Sequence, residues 1–273
     1  EIRLSLVGSE MCIRDRSGRI AAEGAVCAIV EDGVGAIVEV NCETDFAAQS
    51  DKFTGFVKDV ADVVVKAAPA DLDALLAANY PNTDKTVGEM IPEKVLVIGE
   101  NLKVRRFARY ATGVTVPYIH MAGRIGVLVN MEVEGIDAAA VTELGKDLCM
   151  QVAAMNPSFC DKADVDQTTL DKEKEIQLAL MDNDPKMASK PLQVKEKIVL
   201  GKMSKYYGEN CLMQMEFVKE KGVSVEQHVA AIAKELGGKI SVKSFVRFER
   251  GEGIEKKQED FAAEVAAQMN MGK

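Results

Sequence analysis

The chain has 273 residues, 47% hydrophobic and 28% charged, enough to bury a sizeable core split over two or more structural units. Its 43 acidic residues against 34 basic ones leave a net charge of −9, which argues against a long nucleic-acid footprint and favours a protein partner. No apolar run approaches the roughly 18 residues that a bilayer span requires. Cys12, Cys27, Cys42, Cys149, Cys160 and Cys211 form no C-x-x-C pair, and His120 and His228 are the only histidines. Reduced thiols in a cytoplasmic protein are therefore expected, with no structural zinc site and no cofactor.

Residues 1–16, "EIRLSLVGSEMCIRDR", read neither as a signal peptide nor as a capped helix. Part of this segment resembles translated sequencing-adapter read-through, and it is set aside as a non-native tail. From Arg19 to Val40, "AVCAIVED" and "GAIVEV" flank Gly33 and predict two strands about a tight turn. Ser50 is placed to cap a helix whose apolar face carries Phe53, Phe56, Val57, Val60 and Val64. Pro69, Pro81 and Pro92 are expected to break the next stretch into short pieces, after which Leu102, Val104 and Arg106 alternate as a strand.

The second half repeats the order. "VTVPYIHM" and "GRIGVLVNMEV" predict a strand pair, then a helix follows with Val141, Leu144, Leu148, Val152 and Met155 on one stripe. "SVEQHVAAIAKELGGKISVKSFVRF" gives helix, glycine turn and strand, paralleling "TVGEMIPEKVLVIGENLKVRRFARY" in the first half. About forty extra residues around "DNDP" predict two charged helices folded back on each other. The outgoing one shows Ile176 and Leu180, and the returning one Leu192, Val199, Met203 and Tyr206.

The fold class expected is α+β: two related α/β subdomains, each a small antiparallel sheet with helices, plus an antiparallel coiled-coil hairpin inserted in the second. The boundaries read as 17–112 for the first subdomain, 113–250 for the second with the hairpin at about 161–222, and 251–273 for a C-terminal helical module.

"VEVNCETDFAAQSDKF", from Val38 to Phe53, is the segment with the most unusual order. Cys42 with Glu43 or Asp45 suggests a thiol enzyme, but acidic surroundings raise a thiol pKa and disfavour a nucleophile. Two carboxylates two residues apart are too few for a calcium loop. Phe46, at a junction of strand and helix, is either a staple on the helix start or an aromatic anchor beside a carboxylate, made to enter a partner's pocket. Gly33 and Gly35 lack the third glycine and the helix of a dinucleotide fingerprint. His120, in a glycine-containing turn without a second histidine nearby, is a satisfied loop residue or a contact residue.

Together with "IGENLKVRRFARY", "YIHMAGRIGVLV" and "FVRFERGEGIEKKQEDFAAEVAAQ", this segment resembles elongation factor Ts, from about Gly18 onward. The resemblance implies a guanine-nucleotide exchange factor without covalent catalysis. Its T-D-F-V segment, here Thr44, Asp45, Phe46 and Ala47, approaches the nucleotide site of elongation factor Tu and displaces the elements that hold magnesium. Ala47 stands where Val is usual, which implies a modest loss of apolar contact. Ile98, Gly99 and His120 match further partner contacts. The hairpin is compatible with a one-to-one complex or a dimer of complexes. The family's N-terminal module of the ubiquitin-associated type is not seen before Gly18, and a truncated gene model is the expected reason. The alternatives left open are a thiol enzyme using Cys42 and an inert structural paralogue.

Overall fold

A computed structural model describes residues 16–255. The segment 1–15 and most of the C-terminal helical module expected over 251–273 lie outside the described residues.

Two three-stranded antiparallel sheets form the body. The first comprises β1 (Glu23–Glu31), β2 (Val34–Cys42) and β3 (Lys103–Tyr110), with β2 central. Asp32 and Gly33, both at positive φ, make the two-residue hairpin turn whose twist matches the strands it joins. Between the sheet's strands in sequence come α1 (Asp45–Ala48), α2 (Asp51–Ala67), α3 (Leu72–Ala77) and α4 (Val87–Ile98). Ser50 caps α2 by accepting from the Phe53 N–H at 3.3 Å. All five residues of its expected apolar face are buried against β1 and β2.

The second sheet comprises β4 (Val114–His120), β5 (Ile125–Glu134) and β6 (Lys239–Glu249), with β5 central. Helix α5 (Thr142–Met155) packs on β4 and β5 as α2 does on the first sheet. The hairpin follows as α6 (Gln167–Asp182), the short α7 (Pro185–Ala188) and α8 (Leu192–Asn210), and α9 (Val225–Glu235) leads into β6. Leu212, Met215 and Phe217 belong to the core under the second sheet, so the helical pair itself occupies 167–210. Among the described residues no helix is long and apolar enough to cross a membrane.

The sheets lie face to face between the helices. On β2, Ala36, Val38 and Val40 face the helices, while Ile37 enters a small seam cluster with Val26, Leu128 and Phe248. On β5, Val127, Val129 and Met131 face the helices and Leu128 meets the seam. Both sheets carry a bulge at the same place: Glu39 pairs Arg106 and Val40 pairs Val104, as Asn130 pairs Ser244 and Met131 pairs Val242. Superposing these registers relates Gly35 to Gly126 and Val26 to Thr115. A Cβ on Gly35 would stand 2.4 Å from Thr115 Cγ2, and one on Gly126 2.3 Å from Val26 Cγ1. The two halves meet through the same patch, as partners in a two-fold dimer do.

Several sequence expectations are corrected. The extra residue at Arg105 reverses the alternation of β3, so Arg106 leaves the face of Leu102 and Val104 and meets Glu39 at 2.5 Å. Pro92 does not break the chain: it lies inside α4, where it costs the one hydrogen bond its missing N–H would make to Gly88. A capping box between Thr86 and Glu89 and the burial of Val87, Met90 and Val95 hold that helix. Met155 is exposed, and Cys149 takes the core place on α5. In the hairpin, Val199, Met203 and Tyr206 pack together as expected, but Leu192, Ile176 and Leu180 are exposed. Leu170, Leu178 and Met181, roughly a quarter of a turn or more away, supply the α6 side of that cluster.

Candidate functional site

β2 delivers the chain to a turn that faces outward. Thr44 has extended backbone, and its Oγ1 accepts from the Ala47 N–H at 3.2 Å, capping α1. The single helical turn that results sends Ala47 and Ala48 into the first core and leaves Asp45 and Phe46 in solvent. Phe46 is 86% exposed, the most of any large apolar side chain described. It is not a staple on the following helix, whose core positions Phe53 and Phe56 fill. Leaving a phenyl ring in water forgoes about 1.5–3 kcal/mol of burial.

The turn is tied to the end of α4. Gly99, at φ 90°, closes that helix by donating its N–H to Val95 at 2.8 Å, and half-buried Ile98 packs on the first core. The next residue, Glu100, reaches back: Oε2 accepts from the N–H groups of Glu43 and Thr44, each at 3.0 Å, and Oε1 accepts from the Thr44 hydroxyl at 2.5 Å. Glu43 returns the exchange, accepting from the Asn101 N–H at 2.7 Å and pairing with Arg19 at 3.5 Å. Sequence reasoning singled out Ile98 and Gly99 here but missed the role of Glu100, and it missed Leu96 and Val97, both exposed beside them.

His120 ends β4, exposed, with Nδ1 3.1 Å from Tyr118 Oη and the two rings stacked. The turn that follows, with Met121, Ala122 and Gly123 all at positive φ, docks on the first sheet: the Val26 N–H donates to Gly123 O at 2.8 Å. Since Glu23 of β1 pairs Cys42, both this turn and the Phe46 turn are anchored to the opening residues of β1.

A third network closes the same region. Glu39, fully buried, accepts from Arg105, Arg106, Asn41 and the Gly251 N–H, and Arg250 donates to Gly24 O. Burial alone would raise the Glu39 pKa, but these donors outweigh it and hold the carboxyl below its usual range.

The thiol reading loses its basis. Cys42 is buried, and burial, with the Glu100 charge adding to it, pushes the thiol up to about 12, while Sγ donates to Thr44 O at 3.2 Å. Ala47 faces this chain's own core, so the methyls missing relative to Val are missing from that core. Gly35, which lacks the rest of a dinucleotide fingerprint, is where Thr115 crosses from the other sheet. Among the described residues no three His, Cys, Asp or Glu side chains converge as metal ligands.

An exposed aromatic on a cross-tied turn, carried by two packed sheets, is the geometry of a protein-contact surface. A family model described as Elongation factor TS matches residues 43–252. Relatives named elongation factor Ts include those of Clostridium perfringens strain SM101, 44% identical over 92% of this chain and 82% of the relative, and Clostridium kluyveri, 45% identical over 93% and 83%. That of Syntrophotalea carbinolica is 42% identical over 92% and 82%. The chain belongs to the elongation factor Ts family, and its role is that of a translation elongation factor.

Proposed function

We propose that this chain is a guanine-nucleotide exchange factor that binds GDP-bound elongation factor Tu and promotes GDP release, with no covalent chemistry of its own. The observation that carries the reading is the 86% exposure of Phe46 on a turn whose neighbours are fixed by hydrogen bonds. Phe46 enters the partner beside its nucleotide site, Asp45 accompanies it, and the partner's magnesium-holding elements are displaced. Ile98, Gly99 and His120 contact the partner around this point, while Thr44 and Ala47 hold the turn.

Exchange then follows from linkage. A factor that binds the nucleotide-free partner more tightly than the GDP-bound one weakens GDP by the same ratio. Burying the ring in the partner recovers the apolar free energy it forgoes in the free chain, about 1.5–3 kcal/mol or a 10- to 150-fold bias between the two partner states. The test is release of a fluorescent GDP analogue from elongation factor Tu. Acceleration by this protein is expected, and a release rate unchanged at saturating protein sinks the proposal.

A further inference from the structure

The internal repeat supplies a control for the Phe46 turn. The bulge registers that match Val104 to Val242 and Val40 to Met131 also place Gly99-Glu100-Asn101 opposite Gly237-Gly238-Lys239, and Glu43-Thr44-Asp45 opposite Glu134-Gly135-Ile136. Gly99 and Gly237 both adopt positive φ. The two halves therefore turn alike at these glycines, but the facing turns differ: Thr44 is extended, at φ −125°, and its counterpart Gly135 stands at φ 74°.

The residue that faces this second turn differs as well. In the second half it is Gly238, where a Cβ would stand 2.3 Å from Glu134 O and 2.4 Å from Ile136 Cγ1: the turns touch, and Ile136 folds onto the second core. In the first half it is Glu100, whose carboxylate stands between the turns and takes three donors from Glu43 and Thr44. Thr44 is also the cap that aims Phe46. With Gly135 and Gly238 the turn lies inward; with extended Thr44 capping α1 and Glu100 bridging to it, the turn stands off and shows an aromatic to solvent.

We propose that Glu100 is a positioning residue: it acts through Thr44 to hold α1 in the orientation that presents Phe46, so that the prong is ordered before it meets its partner. This rests on the exchange reading above. Ordering the turn in advance removes a cost from the step in which the ring must be inserted. The effect should thus appear in the maximal rate of GDP release and not in the amount of folded protein.

The experiment measures release of a fluorescent GDP analogue from elongation factor Tu across a concentration series of wild type, E100A, E100Q, F46A and the E100A/F46A double variant. The E100A plateau is expected to fall by about tenfold, the equivalent of one lost hydrogen bond to a charged group. E100Q, whose amide oxygen still accepts from the two N–H groups, should fall between E100A and wild type, and the double variant no lower than F46A. An E100A plateau equal to wild type overturns the proposal. So does a raised half-saturating concentration with the plateau kept, which is what partial unfolding gives. E100Q no better than E100A, or a double variant that falls by both factors, overturns it as well. If wild type does not accelerate release, the exchange reading fails first and takes this inference with it.

Discussion

Gly35 and Gly126 occupy the same position in the two sheets, and each receives a side chain from the other half, Thr115 on Gly35 and Val26 on Gly126. Neither site has room for a Cβ. The pairing packs the two sheets directly on each other, around the seam cluster of Val26, Ile37, Leu128 and Phe248.

That seam gives the first prediction. Gly126→Ala forces its methyl into Val26 Cγ1, Ile119 and Ile37, and overpacking of this kind costs about 1–3 kcal/mol. Urea denaturation should show the loss, and adding Val26→Ala should restore part of it. Equal stability of Gly126→Ala and wild type contradicts the packing described.

Phe46→Ala separates binding from folding. The ring touches little in the free chain, so the midpoint of thermal unfolding should stay within a degree or two of wild type, as exposed substitutions usually do, since they change stability by about 0.5 kcal/mol or less. Maximal GDP release should fall tenfold or more, following the lower bound of about 1.5 kcal/mol for burying such a ring. A large drop in melting temperature shows instead that the ring packs within the fold.

Acid should weaken the junction at Glu39. Its folded pKa is depressed, so the stabilisation is complete above the unfolded value of about 4.3 and is lost as pH falls through the lower folded value. Stability by urea titration should decline steeply below about pH 4.3 in wild type and less so in Glu39→Gln. At pH 7 the same variant should be less stable by about 1.5–3 kcal/mol, because Arg105 and Arg106 lose hydrogen bonds to a charged group but keep Glu252 and partial solvent exposure. Parallel pH curves for the two proteins refute this assignment.

Thiol chemistry should be slow in the folded protein. Burial pushes Cys27 and Cys211 to about 11 and Cys42, Cys149 and Cys160 to about 12. In a Cys12→Ser background, iodoacetamide at pH 7.5 should leave the five described cysteines largely unmodified by mass and GDP release intact, whereas urea should make all five reactive. Rapid native alkylation of Cys42 with loss of exchange revives the thiol enzyme.

Much of the fold could be read from local pattern. The Asp32-Gly33 turn, the Ser50 cap and the apolar faces of α2 and α5 follow from turn chemistry and periodicity, which act over a few residues. What escaped depends on distant partners. The bulge at Arg105 leaves no mark in a sequence that still alternates, yet it decides that Arg106 meets buried Glu39. Ile176 and Leu180 look like a hairpin seam until Val199 and Met203 select the other face of α6. At the site, the order of Thr44, Asp45 and Phe46 was conspicuous because it interrupts an apolar run. Glu100 was not, since a carboxylate after a helix-ending glycine is ordinary. Only setting "GENLKV" against "GGKISV" exposes a charged residue where its counterpart tolerates no side chain at all.

The first few residues of β1 serve both the Phe46 turn, through the pairing of Glu23 with Cys42, and the His120 turn, through Val26 and Gly123. They act as the fixed jaw of a caliper. In the complex proposed above, the gap between the aromatic and the histidine is set from one stretch of backbone, and the partner's surface has to match it. A residue inserted between Ala22 and Val26 would change the calibre of the tool while leaving both of its tips intact.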